Sequence, residues 1–339
     1  MEVVEYTSAD AGDIVDLMNL ALGRANEVRR DVDYWHWKHD QNPFGQSLVL
    51  LAKVAGQLVG MRSFMRWSLS VEGQVLSVAK PVDTVTHPDF RRQGIFRTLT
   101  ESACERASAA GVVFLFNTPN QSSRPGYIRL GWQHVGDVSV RVRPRRPVSI
   151  AAGLLKNWLG GKRSAAGPCQ DSTVPSVSQV LADRVQVKEL LATLPPRRGA
   201  ATVRGHALLQ WRYGAHPHAD YRAVELREGS RLAGLALFRM RFRRGLYEAM
   251  LDDVLVRDNR EETAKKLIRK LLRTVQADYI VAHCCEEEAF GRLWRRRAWP
   301  APRRTALPLL GRAIGPLPDA WNPFDLAHWN LCLGDLEGL

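Results

Sequence analysis

The stretch from Val82 to Ala107, VDTVTHPDFRRQGIFRTLTESACERA, holds the residues best suited to chemistry. Arg91, Arg92 and Arg97 crowd around a single glycine, Gly94, between a β-branched run and an amphipathic one. Val82 to Thr86 alternates as a strand does, and His87-Pro88-Asp89 breaks it. From Phe96 to Ala109 the apolar positions Phe96, Leu99, Ala103 and Ala107 recur at helical spacing. The loop Arg91-Arg92-Gln93-Gly94-Ile95-Phe96 therefore stands at a helix N-terminus, where unpaired backbone N–H groups and the positive end of the helix dipole face outward. Such an end holds a phosphate group, and Gly94 lets backbone come close to it.

The elements that must position this loop belong to a chain of 339 residues, long enough for two domains of about 150 residues each. An apolar content of 45% and a charged content of 24% are those of a soluble globular protein. The start, MEVVEYTSAD, lacks the basic and apolar regions of a signal peptide, and no run of about 18 uncharged apolar residues appears. Five scattered cysteines, an odd number, suit a reduced, cytoplasmic protein. His283-Cys284-Cys285 lacks a second pair at ligand spacing, so no metal is expected. The net charge is +13, which can attract nucleic acid, anionic lipid or a phosphorylated small molecule. Without a zinc-finger, RNP or helix-turn-helix pattern, nucleic acid is not the predicted partner.

Residues 144–175 read as a seam, with the basic RVRPRRP, the apolar VSIAAGLLKNWLGG and the loop-like GKRSAAGPCQDSTVP in turn. The apolar piece suits either an interfacial helix on an anionic membrane, giving a peripheral contact, or a short helix covering an apolar patch between domains. Across the seam the sequence repeats. Trp37/Trp211, Pro43/Pro217, Gly60/Gly234 and Phe64/Phe238 share one offset, and Asp83 lies opposite Asp252 after a small slip. Each copy reads as a β-hairpin, a strand, a helix, a strand and a closing helix. The copies part at one place: THPDFRRQGIFRTL faces VRDNREETAKKL, where the glycine is gone and Glu261-Glu262 occupy the turn. Two acids there repel a phosphate.

The order strand, His-Pro, Arg-Arg-Gln-Gly-Ile, helix resembles motif A of the GNAT superfamily of acyl-CoA-dependent N-acyltransferases. In that family a Gln/Arg-x-x-Gly-x-Gly/Ala loop holds the pyrophosphate of coenzyme A. NQSSRPGYIRLGW is similar to a second family element, matching at Asn120, Tyr127, Arg129, Gly131 and Trp132. The resemblance covers about residues 1–140. It implies an α/β fold of two tandem GNAT-like domains, each a mixed, mostly antiparallel sheet flanked by helices: 1–143 with the acyl-CoA site, and 176–339 as a degenerate copy. Phe96 stands where the family has Gly or Ala, and Pro125-Gly126 interrupts the helix before Tyr127.

The resemblance also implies roles. Arg91, Arg92, Gln93, Gly94, Ile95, Phe96 and Arg97 would cradle the diphosphate. Val85 and Thr86 would meet the thioester carbonyl through backbone N–H, with Asn117 and Asn120 along the pantetheine. Tyr127 would act as the acid for the departing thiolate and Asp83 as the base, through a water, with His87 as its alternative. The expected reaction is direct attack of a small, anionic amine, such as a nucleotide-linked amino sugar, on acetyl-CoA, with no metal. Tyr34, Trp35, Trp37 and Lys38 are candidates for an acceptor cleft, Trp37 also for packing since it recurs as Trp211. The alternatives are an aminoacyl-tRNA-dependent Fem-like transferase and a non-catalytic, CoA-binding or membrane-associated partner in glycan assembly.

Overall fold

The computed structural model describes residues 1–23, 30–158, 174–243, 245–283, 285, 287–302 and 305–336. Most of the loop-like stretch 161–175, and Cys284, lie outside them.

The first part of the chain runs β1 (Glu2–Glu5), α1 (Ala11–Leu22), α2 (Val32–His39), β2 (Leu48–Val54), β3 (Gln57–Val71), β4 (Gln74–Thr86), α3 (Ile95–Ala109), β5 (Phe114–Asn117), α4 (Arg124–Arg129), β6 (Gln133–Val138), β7 (Arg141–Pro144) and α5 (Pro147–Trp158). After it come α6 (Val177–Leu181), α7 (Arg184–Ala192), β8 (Ala200–Thr202), α8 (His206–Leu209), β9 (Tyr221–Glu228), β10 (Arg231–Arg243), β11 (Leu246–Val256), α9 (Glu261–Thr274), β12 (Tyr279–Ala282), α10 (Ala289–Arg295), β13 (Trp299–Pro300), β14 (Leu307–Ala313) and β15 (Trp329–Asn330). The order of elements from β2 to β6 recurs from β9 to β13.

Two mixed, mostly antiparallel sheets result. The first has the order β1-β2-β3-β4-β5-β14-β6, with β8 joined to β3 and β15 to β8; the second has the order β13-β7-β12-β11-β10-β9. Each sheet borrows from the other part, the first taking β8, β14 and β15 and the second taking β7. β14 enters the first between β5 and β6, and β7 enters the second between β12 and β13. The expected boundary at residue 143 cuts through β7, and each sheet is completed by strands that lie on the other side of it. The expected linker 144–175 begins inside β7 and continues as α5, which lies on Leu246 through Gly153 and exposes Val148 and Leu155.

The repeated residues mark equivalent contacts. A Cβ on Gly60 would stand 2.5 Å from Ile95 of α3, and one on Gly234 would stand 3.2 Å from Leu267 of α9. Both glycines let a helix close onto its sheet. Trp37 and Trp211 stack on each other with centroids 5.0 Å apart, and each indole N–H donates to the other's backbone carbonyl, at 2.8 and 2.6 Å. Around them a buried core takes Trp67, Phe114 and Phe116 from the first part and Met250, Trp321 and Trp329 from the second. Trp37 is thus a packing residue joining the two parts.

Candidate active site

At the end of β4 a short 3-10 turn over Pro88–Phe90 redirects the chain, with the His87 ring accepting the Asp89 N–H. Arg92 and Gly94 then take left-handed backbone angles, φ +63° and +82°. Gly94 caps α3 without a side-chain partner, and the first turn carries no acid. The first N–H bonded inside the helix at this end is that of Thr98, to the Gly94 carbonyl at 3.0 Å. The N–H groups before it form the open end of a 15-residue helix. Arg91, Arg92, Gln93, Gly94 and Arg97 are exposed, whereas Ile95 is buried beneath Gly60. Arg91 reaches the Ala21 carbonyl at the end of α1 (3.1 Å), and Arg97 is occupied by Glu101 (2.9 Å).

Beside this loop the sheet opens. β4 and β5 run parallel but pair only at Val78/Phe114 and Ala79/Leu115. Beyond that point β5 continues against β14 as far as Asn117, and β4 continues against β3 as far as Thr86. Pro81, which has no N–H, stands two residues after the last paired one, and the β3–β4 register shifts opposite Ser63 so that Val82 and Asp83 bulge. The β5-facing edge of β4 from Pro81 to Thr86 is thereby left unpaired, with Val85 buried and Thr86 half-buried on it. Asn117 is buried at the far side, and its side-chain oxygen has no partner among the described residues.

Tyr127 closes the gap on the helix side. Pro125 sits in the first turn of α4 and so begins that helix, where the missing N–H costs nothing. The expected interruption is a helix start. Phe96 turns onto α4: a Cβ at Gly126 would stand 3.0 Å from its ring, which meets Tyr127 edge-on at 5.9 Å. The two departures from the family pattern thus fit each other, a large ring over a glycine. Trp132 packs on the ring of Tyr127 at 5.2 Å, and the phenol oxygen accepts a 2.8 Å bond from Arg62 of β3. Arg62 is fully buried, and its Nε and Nη1 have no partner among the described residues. An unpaired buried donor costs about 1–3 kcal/mol, so this is an expensive arrangement.

Asp83 lies elsewhere. One of its oxygens takes Lys38 at 2.8 Å and His39 at 3.0 Å, and the buried His39 continues to Ser47 and Ser63. Burial favours the neutral acid, but the Lys38 ammonium and the His39 bond outweigh it and hold the carboxyl well below the usual range. A carboxylate so held is a weak proton acceptor. Ser63, tied to His39, and Arg62, tied to Tyr127, are consecutive on β3, so the two polar groups stand on opposite faces of the first sheet. Asn120 is engaged locally, its oxygen accepting from the Ser123 N–H (2.9 Å) and hydroxyl (3.1 Å) ahead of α4. Tyr34, Trp35 and Lys38 are at least half-buried, Tyr34 beside His216 and His218. Among the described residues no group of three or more His, Cys, Asp and Glu is placed to hold a metal ion, and no helix is long and apolar enough to cross a membrane.

Residues 2–135 match the acetyltransferase (GNAT) domain family. The first part of the chain thus carries a GNAT acetyltransferase domain. No curated protein matches the sequence. Among solved structures, a GCN5-related N-acetyltransferase from Anabaena variabilis superposes with a TM-score of 0.64 at 12% identity, over 92% of this chain and 72% of that one. A probable N-acyltransferase from Enterococcus faecalis gives 0.61 at 11%, over 93% and 73%. Saccharomyces cerevisiae N-myristoyltransferase with bound myristoyl-CoA gives 0.58 at 12%, over 93% and 78%. At such identities the likeness is one of fold. It extends well past the GNAT match and takes in the second sheet.

The residues that sequence reasoning missed are Arg62, Lys38 as a buried ion, and His39. Lys38 was expected in an acceptor cleft, not as the partner of Asp83; the signal for Arg62 was its place inside the run LVGMRSFM.

Proposed function

We propose that this GNAT protein transfers an acyl group, acetyl first, from coenzyme A to a small anionic amine such as a nucleotide-linked amino sugar, by direct attack. The observation that carries the reading is the juncture of an uncapped α3 terminus with the unpaired edge of β4. The diphosphate would take the N–H groups of the first turn, with Arg91 and Arg92 beside it. The pantetheine would enter between β4 and β5, where an amide N–H meets the unpaired Asn117 oxygen. The thioester oxygen would accept from the backbone near Val85 and Thr86 as charge develops on it. Tyr127 would give the thiolate its proton.

Asp83 is better suited to holding Lys38 and His39 in place than to taking a proton, so we assign the amine's deprotonation to water. The +13 charge supports an anionic acceptor. The second sheet, with its acids at the equivalent turn, we read as a copy that no longer binds the cofactor.

Calorimetric titration with acetyl-CoA, beside pantetheine lacking the diphosphate, tests the cofactor site. Binding that requires the diphosphate is expected; its absence overturns the reading.

A further inference from the structure

Arg62 is a buried cation with no carboxylate in ion-pair contact among the described residues, and it faces the one phenol in the gap. Its guanidinium stands 5.1 Å from the ring centre of Phe64, 5.5 Å from that of Phe96 and 5.0 Å from that of Tyr127. Its one hydrogen bond goes to the Tyr127 oxygen, at 2.8 Å. Arg62 is paired across β3 and β4 with Thr84, within the stretch of β4 whose other edge is open.

We propose that Arg62 is the positioning residue for the proton of Tyr127. The inference rests on the reading of Tyr127 as the proton donor. A phenol has one proton to donate and an oxygen that accepts. With an Arg62 N–H on that oxygen, the hydroxyl hydrogen must point away from β3, and the edge contacts of Phe96 and Trp132 fix the ring about it. In the reaction the amine nitrogen bonds to the acyl carbon, the carbon–sulfur bond breaks, and its electron pair goes to sulfur. The sulfur takes the phenol proton, the amine's surplus proton goes to water, and water later returns a proton to the phenolate. A charge-assisted bond from Arg62 is stronger to the phenolate than to the phenol, so it is realised as the thiolate leaves. A carboxylate beside Arg62 would neutralise the charge that this step needs. If Arg62 served packing alone, an apolar side chain of similar volume would fill the site without unpaired donors.

The test uses the full chain with acetyl-CoA, hydroxylamine as the probe amine, and release of free thiol as the signal. Arg62→Gln should lower kcat about 100-fold while KM for acetyl-CoA stays within about threefold, and Arg62→Lys should recover about tenfold. In a Tyr127→Phe background the same Arg62→Gln change should cost less than about threefold. A merely structural Arg62 would instead raise KM, lower Tm and keep its full effect in that background, and any of these overturns the proposal. Wild-type turnover by Tyr127→Phe sinks the proton-donor reading itself. A dead Tyr127→Phe beside an unimpaired Arg62→Gln sinks only the role of Arg62. No thiol release by the wild type overturns both.

Discussion

The turn before α3 and the turn before α9 occupy equivalent places after equivalent strands, and they differ in backbone and in charge. The first puts Gly94 at the helix end in a left-handed conformation and leaves the first turn free of acids. The second ends on Arg260 with extended angles, φ −73° and ψ 132°, and follows it with Glu261 and Glu262, both held by Lys265. The strands beneath differ likewise: β4 and β5 pair at two positions before parting, β11 and β12 at four. The second part does keep a cavity of about 440 Å³ beside Val254, Val256 and Phe290, but Arg197, Arg198, Glu287 and Glu288 share its lining and balance one another. One scaffold thus ends one turn in open N–H groups beside exposed arginines and the other in acids beside a cavity of mixed charge.

The aspartates Asp83 and Asp252 give the sharpest contrast, and Asp83→Asn has the largest expected effect. It removes the carboxylate that holds Lys38, only 5% exposed, at 2.8 Å, and breaking a buried pair in this way costs about 3–5 kcal/mol. Chemical denaturation at neutral pH measures it. The low folded-state pKa of Asp83 means that its contribution is present at neutral pH and lost as pH falls through the acid range, because the unfolded carboxyl binds a proton first. A variant as stable as wild type at pH 7 would mean that the pair contributes nothing.

Gly94 tests the first turn. Its Cβ direction is open, and its αL angle is tolerated by Asn and Asp. Gly94→Asp and Gly94→Asn share shape and differ in charge. The aspartate variant should bind acetyl-CoA more weakly than the asparagine variant by about 1–3 kcal/mol, the range for charge-assisted contacts at a phosphate. Equal affinities by calorimetry would remove the diphosphate from this turn.

Asp252 should behave in the opposite sense to Asp83. Burial, only partly offset by Arg239 at 3.6 Å, pushes its carboxyl up to about 6. Between the unfolded value near 4 and that value the folded state binds the extra proton, so stability falls as pH rises through this window. Asp252→Asn should flatten that slope and add about 1–3 kcal/mol at pH 7. Denaturation curves at pH 4, 5, 6 and 7 would show it; an unchanged slope would sink the assignment.

The strand–loop–helix around Gly94 was legible in the sequence because its signals are local: alternation, a proline break, a glycine and a helical repeat. The pairs Trp37/Trp211 and Gly60/Gly234 were legible as a repeat, and the structure supplies their reason in an indole exchange and two close helix approaches. The exchange of β7 and β14 was not. A strand of four or seven residues shows which face it buries, never which sheet accepts it. Arg62 was missed because a charge is ordinarily at the surface, and the pairing of Lys38 with Asp83, 45 residues on, leaves no local signal. The bond of the Asn120 side chain to Ser123, three residues on, is a local contact of the kind asparagine often makes ahead of a helix.

The smallest effect should come from Glu261→Gln with Glu262→Gln, which asks whether charge alone separates the two turns. Both acids favour the positive end of α9, and both are exposed, so the double variant should lower Tm slightly at low ionic strength and not in molar salt. Acetyl-CoA stoichiometry should remain one per chain. Removing the acids frees the helix end from repulsion, yet Arg260 stays extended where Gly94 is left-handed, and β12 stays paired to β11 for twice as many positions as β5 to β4. A second equivalent of bound acetyl-CoA in the titration would show that the two glutamates were the whole difference, and that the backbone of the second turn was adequate all along.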